Sequence, residues 1–221
     1  MKLVLLHSPL VGPGCWSALA PVLRARGHDV SAPDIAGLMQ GLSPYYPRLA
    51  QAAAAAISEP SLLIVHSGAG ALVPAVATLA PIEGAIFVDA LLPHPGRTWF
   101  DTAPEALNAR LHSLARNGML PPWHRWWPED ALRALLPAPG MFEAFAAELN
   151  PLPLAYFEEI APDFALRTPS AYLQIGPTNA AEADWALAAG WPVSRLALHH
   201  LAMLTHPAEV AAEIERLARA L

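Results

Sequence analysis

Short apolar runs separated by helix-length stretches constrain this chain more than any other feature. Lys2–Leu6 (KLVLL) reads as a buried strand, His28–Ala32 as a second, Leu62–His66 as a third and Gly84–Asp89 as a fourth. Each is rich in aliphatic or β-branched residues, too short for a helix, and bounded by Gly, Pro or Ser. Between them, helices are expected over about Trp16–Arg26 and Tyr45–Ser58, and after Ser67, where Pro74 should kink the helix beyond its first turn. The pattern returns later as a strand at Ala171–Ile175, a helix at Ala180–Ala189, a strand at Val193–Leu198 and a closing helix at Pro207–Leu221. Strands and helices alternating at this spacing form right-handed βαβ units. The expectation is an α/β protein with about six mostly parallel strands, flanked by helices on both faces.

From residue 91 to 167 the alternation stops. Twelve of the 24 prolines fall between residues 91 and 170, together with Trp99, Trp123, Trp126 and Trp127, four of the seven tryptophans. Helical pieces are expected near 103–117, 129–136, 140–149 and 153–160. This stretch reads as a helical lid inserted after the strand ending at Asp89, dividing a core of residues 1–90 and 168–221. An aromatic inner face, rimmed by His94, His112 and His124, would then line an apolar pocket. For any one tryptophan the other reading is a satellite core beneath long loops.

Composition excludes several classes of function. At 221 residues and 54% hydrophobic the chain can bury a sizeable core. No apolar run reaches the roughly 18 residues of a membrane span, and Lys2–Leu6 is too short for a signal segment. A net charge of −6 with a single lysine offers no basic patch for nucleic acid. Cys15 is alone, so no internal disulfide forms. These features lead us to expect a soluble cytoplasmic protein without a membrane or nucleic-acid partner; the oligomeric state is left open.

Ser67 is the candidate for the chemistry. It sits between an apolar strand and Gly68-Ala-Gly70, on a sharp turn where bulky neighbours would clash with the backbone. The usual form of such an elbow is Gly-x-Ser-x-Gly; here Val65 and Ala69 stand at the flanking positions. The bland alternative is a serine N-cap on an ordinary strand–helix turn. In a parallel sheet, ligands gather at the carboxyl ends of the strands. Those ends carry His7-Ser8, Asp34, Ser67, Asp89, Asn179 and His199-His200. A serine hydroxyl attacks an acyl carbon only when a base takes its proton, so a serine, histidines and carboxylates on one edge are the parts of such a relay. Three histidines, His199, His200 and His206, could suggest a metal. Adjacent histidines at a strand end cannot both turn inward, however, and no metal or other cofactor is expected.

Four segments together carry a resemblance: His7-Ser-Pro-Leu with Gly12 and Trp16, Asp29-Val-Ser-Ala-Pro-Asp34, His66-Ser-Gly-Ala-Gly70, and His200-Leu-Ala-Met-Leu-Thr-His-Pro207. Over nearly its whole length the chain resembles the α/β-hydrolase fold family, in particular its small members such as the plant methylesterases and hydroxynitrile lyases. The resemblance implies Ser67 as nucleophile and His200 as general base; His199, in the place of a usual glycine, is read as a flanking structural or substrate-facing residue, with the role of base as its alternative. His206 is read as a helix-entry residue.

The family commonly carries its acid in Gly-x-x-Asp after the penultimate strand, where this chain reads Gly176-Pro-Thr-Asn179. Asparagine cannot stabilise an imidazolium, a loss of order 10⁴ in turnover in serine proteases. Asp89, ending the strand after the nucleophile helix, is the favoured replacement; Asp184 and Glu182 are alternatives, as is a site with no working acid. The resemblance also implies an oxyanion hole built from the Gly68 N–H and a loop N–H. Pro9 has none to give, which leaves Leu10 N–H, with Ser8 hydroxyl as helper. The implied activity is cleavage of a small apolar carboxylic ester, thioester or lactone, with Ser8, His199 and the four lid tryptophans contacting substrate. The alternatives are a hydroxynitrile-lyase-like lyase, against which no lysine follows Lys2, and an inactive hydrolase-like shell that binds an apolar ligand.

Overall fold

The computed structural model describes all 221 residues. Eight strands and ten helices follow one another as β1 (Lys2–Leu6), α1 (Leu19–Ala25), β2 (Asp29–Ser31), α2 (Tyr45–Ala55), β3 (Ser61–His66), α3 (Val73–Leu79), β4 (Ile82–Val88), α4 (Glu105–Leu114), β5 (Met119–Leu120), α5 (Glu129–Leu135), α6 (Met141–Ala147), β6 (Leu152–Pro153), α7 (Leu154–Glu158), β7 (Ser170–Gln174), α8 (Ala180–Ala188), β8 (Val193–Arg195), α9 (Ala202–Thr205) and α10 (Pro207–Ala218). Six strands pair in the order β2-β1-β3-β4-β7-β8, every pair parallel. All six carboxyl ends therefore open on one edge, with β3 and β4 side by side at the centre.

Strand periodicity divides the core in two. Val4, Leu6, Leu63, Val65, Ala85, Phe87 and Tyr172 pack on one face against α2, α3 and α8. Their neighbours Leu3, Leu5, Leu62, Ile64, Ile86, Val88 and Leu173 pack on the other against α1 and α10. Successive side chains of a strand point to opposite faces, so a strand covered on both sides is apolar throughout. That explains why β1 and β3 carry almost no polar residue.

The differences from the expected elements have local causes. The first helix starts at Leu19, three residues later than expected, after a 3₁₀ turn over Pro13–Trp16. Pro21 lacks an N–H and is tolerated only in a first turn, which fixes the start. Pro74 acts in the same way: Ser67–Leu72 is 3₁₀, and α3 begins anew at Val73 with Pro74 in its first turn. The strand expected over Val193–Leu198 closes at Arg195, and the short α9 follows where the sequence pattern predicts no helix.

Residues 89–169 intervene between β4 and β7, which nonetheless pair with each other. Within this insertion β5 and β6 form an antiparallel pair joining residues over thirty apart in sequence, beyond the reach of a local pattern. Two carboxylates bind the insertion to the core. Glu148 accepts the N–H of Gly14 at 2.9 Å, and a Cβ on Gly12 or Gly14 would run into that carboxylate. Glu159 accepts the N–H groups of Tyr45 and Tyr46 at 2.8 and 2.9 Å and the Ser43 hydroxyl at 2.8 Å. It thereby caps α2, which has no side-chain cap of its own. No helix is long and apolar enough to cross a membrane.

Candidate active site

Ser67 follows the last residue of β3 with φ +53°, in the left-handed region. A non-glycine residue held there costs of order 1–3 kcal/mol, and such outliers cluster at functional sites. The turn is kept tight by small neighbours. A Cβ on Gly70 would run into the Leu91 carbonyl, while Leu91 N–H donates to the Ser67 carbonyl at 3.0 Å. The Ser67 side chain is part-exposed and its hydroxyl makes no hydrogen bond within the chain.

Asp89 is the counterpart of Ser67 on the next strand. It follows β4 with φ +44° and is fully buried. Its Oδ2 accepts His200 Nδ1 at 2.7 Å, and its Oδ1 accepts Ile175 N–H at 3.3 Å. With Nδ1 donating to the carboxylate, the neutral His200 ring leaves Nε2 unprotonated, the tautomer a general base requires. Gly176 lets the loop after β7 lie against this histidine's backbone, since a Cβ there would come within 3.1 Å of His199 and His200 main-chain atoms. Asp184, the alternative acid, is turned away in an ion pair with Arg195 at 2.6 Å. Glu182 lies on the first turn of α8, where burial, with Asp89 adding to it, raises its carboxyl above the usual value.

His66 is a residue whose position the sequence showed but whose role it did not. Its Nε2 lies 3.0 Å from the His200 carbonyl, so Nε2 carries the proton and donates. The two imidazoles lie 4.6 Å apart, and the Trp16 indole meets His66 edge-on at 5.9 Å. Burial holds His66 well below the ordinary imidazole value, with nearby His200 adding to the effect. The signal was its place immediately before Ser67 at the end of a strand.

The loop after β1 differs from expectation. Leu10 N–H, expected to face the substrate oxygen, donates to Ser8 Oγ at 3.2 Å. Pro9, with its fixed φ and missing N–H, leaves the loop to close around the serine. Ser8 is buried, and its Oγ lies 2.9 Å from where a Cβ on Gly68 would stand. The hydroxyl and the Gly68 backbone are thus neighbours. His7 is a loop anchor: its Nε2 accepts Ile35 N–H at 3.0 Å.

The four tryptophans separate. Trp123 reaches the site, its ring 6.2 Å from His200 and 6.1 Å from Phe145. Trp126 does not line a pocket; it is 1% exposed, packs on Phe157 and donates its indole N–H to the Pro121 carbonyl at 2.8 Å. Trp99 is likewise buried, against Phe100 and Phe157. Trp127 is 38% exposed with the Arg110 guanidinium 5.9 Å from its ring. The N–H of a buried indole usually finds a partner, and Trp126 finds one inside the insertion. His199 accepts Leu201 N–H at Nδ1 (3.3 Å), and its Nε2 lies 2.9 Å from Thr205 Oγ1, so it braces the loop behind His200. His206 shares the same hydroxyl at 2.9 Å.

Comparison with known proteins bears on the fold that carries these residues. A pyrethroid hydrolase of Sphingobium wenxiniae is 34% identical over 106 residues, 43% of this chain and 38% of that protein, so the match spans well under half of the relative. Among solved structures, a pyrethroid hydrolase from Sphingobium faniae superposes with a TM-score of 0.72 at 24% identity, over 100% of this chain and 98% of the other. An extracellular α/β-hydrolase from a Paenibacillus species gives 0.73 at 19% identity over 98% of each chain. Polyneuridine aldehyde esterase gives 0.73 at 18% over 98% of each. These likenesses speak for the fold. The sequence model of the alpha/beta hydrolase family matches residues 3–213, essentially the whole six-stranded sheet with its elbow and its late histidine, and the chain belongs to that family.

Proposed function

We propose that this chain is a serine hydrolase that cleaves small apolar carboxylic esters through an acyl-enzyme, with Ser67 as nucleophile, His200 as general base and Asp89 as the acid. The observation that carries the reading is the 2.7 Å bond between buried Asp89 and His200 Nδ1. It favours a working relay over an inert ligand-binding shell, because the charge absent at Asn179 is supplied from the neighbouring strand. The names of the relatives, pyrethroid hydrolase and esterase, support the ester class.

In this reading His200 Nε2 takes the Ser67 proton as Oγ attacks the acyl carbon, and Asp89 stabilises the imidazolium that forms. Catalytic hydrogen bonds often tighten only when substrate is present, which accommodates a free Ser67 hydroxyl. The oxyanion is held by Gly68 N–H and by the Ser8 hydroxyl. The latter accepts from Leu10 and keeps its own proton to donate. His200 then gives its proton to the leaving alcohol and activates water against the acyl-enzyme. Residues 91–167 act as the lid, with Trp123 as its aromatic wall beside His200. An apolar wall disfavours charged acyl groups, since burying an unpaired charge is costly.

The test is hydrolysis of p-nitrophenyl esters graded by acyl length, with a pyrethroid included. Short and medium acyl esters should be cleaved, and Ser67→Ala should lose activity by a factor on the order of 10⁶, as loss of a nucleophile does in subtilisin. Retention of more than about a tenth of the parent rate in Ser67→Ala would overturn the assignment.

A further inference from the structure

Asn179 stands where the acid of similar hydrolases is usually placed, and the structure gives it a different occupation. It is the N-cap of α8, a position whose side-chain oxygen ordinarily accepts a helix N–H. It makes no such capping bond. The side chain, 8% exposed, is instead turned to β4, where Nδ2 donates to the main-chain carbonyl of Asp89. The assignment of the amide is unambiguous, because only its NH₂ end can face a carbonyl oxygen.

This bond is one of a set that grips the turn after β4. Asp89 N–H donates to the Leu173 carbonyl at 2.8 Å, and Ile175 N–H donates to Asp89 Oδ1 at 3.3 Å. The Tyr172 hydroxyl donates to the Ala90 carbonyl at 2.7 Å. All these partners belong to β7 or the loop behind it. The residue they hold has φ +44°, a left-handed conformation that an aspartate keeps only when its surroundings hold it. Rotation of the Asp89 peptide toward an ordinary conformation would swing the carboxylate off His200 Nδ1.

We propose that Asn179 is a positioning residue for the acid: by donating to the Asp89 carbonyl it holds the left-handed turn that aims the carboxylate at His200. The inference rests on the proposed relay and goes beyond it. It makes residue 179 a required donor and not the vestige of a lost acid. A carboxylate at that position would offer only acceptors to a carbonyl oxygen, so the substitution that restores the usual acid should damage this site.

Two variants test it, the near-isosteric Asn179→Asp and the shorter Asn179→Ser, with Asp89→Asn assayed in parallel on p-nitrophenyl butyrate. Both position-179 variants should lower kcat by roughly 10–100-fold with KM within about twofold, as expected when an interaction needed only in the transition state is lost. The acid limb of the kcat/KM profile should move in opposite directions. In Asn179→Ser the loosened carboxylate supports the imidazolium less, so the limb shifts to lower pH. In Asn179→Asp an added negative charge favours the imidazolium, so it shifts to higher pH. A merely structural role would lower the melting temperature and leave kcat and the limb in place. Parent-like kcat in both folded variants, or an Asn179→Asp enzyme faster than the parent, overturns the inference. If Asp89→Asn is itself parent-like, the relay fails and the inference with it. If Asp89→Asn is crippled while both position-179 variants are normal, only the inference fails.

Discussion

Asp89 and Ser67 share an unusual backbone: each is a non-glycine residue with positive φ at the carboxyl end of a central strand. Their side chains are aimed by that conformation, which places the cost of the site in two turns. Asp89→Asn should therefore lower kcat by roughly 10²–10⁴ with little change in melting temperature, because the neutral amide keeps the shape but stabilises neither the tautomer nor the imidazolium. Asp184→Asn should leave the rate unaltered, since it only breaks an exposed pair with Arg195. Equal damage from both would remove the special status of Asp89. Both strand-end residues were visible in the sequence, because a strand ending in Ser or Asp before a change of pattern is a local signal. The occupations of Leu10 N–H and Asn179 Nδ2 were not, since each depends on how loops close in three dimensions.

Within the insertion, elements with similar sequences do different work. Trp123 and Trp126 are three residues apart, yet one faces His200 and the other is sealed against Phe157. Trp126→Ala should destabilise the chain by about 3–5 kcal/mol, the usual cost of emptying an aromatic core site. Trp123→Ala should lower activity toward apolar esters with a smaller loss of stability. Urea midpoints and ester kinetics on the same two variants separate the roles, and the reverse pattern would exchange them. Clustered tryptophans announced an aromatic insertion, but a period too irregular to define a face could not say which of them point inward. The Glu159 cap was hidden for another reason: its N–H partners on α2 lie 113 and 114 residues away. Glu159→Ala should cost about 1–2 kcal/mol, as loss of a helix cap does, with catalysis intact. A midpoint equal to the parent's would mean that the ends of α2 need no such anchor.

At the scale of the molecule, parallel pairing does most of the organising, since it delivers His7, Ser67, Asp89, Asn179 and His200 to one edge. That much followed from counting strands and helices, which is why the architecture was legible where the loops were not. Burying histidines has a consequence for stability. His7, His66 and His94 are held below the ordinary imidazole value, burial being the first cause in each. The unfolded chain takes up these protons near pH 6.5 while the folded chain resists. Stability is thus fully present above about pH 6.5 and is lost as pH falls through the window below it. Denaturation midpoints should decline from about pH 7 to about pH 5, and His66→Gln should flatten the decline; a flat parent profile would contradict this.

The central claim, that Ser67 is a nucleophile driven by the Asp89–His200 pair, is tested most directly by a fluorophosphonate probe followed by peptide mass mapping. The account predicts one adduct, on the peptide carrying Ser67. It should be absent in Ser67→Ala and form at least about 100-fold more slowly in Asp89→Asn. An unlabelled parent, or an adduct that survives Ser67→Ala, would contradict it.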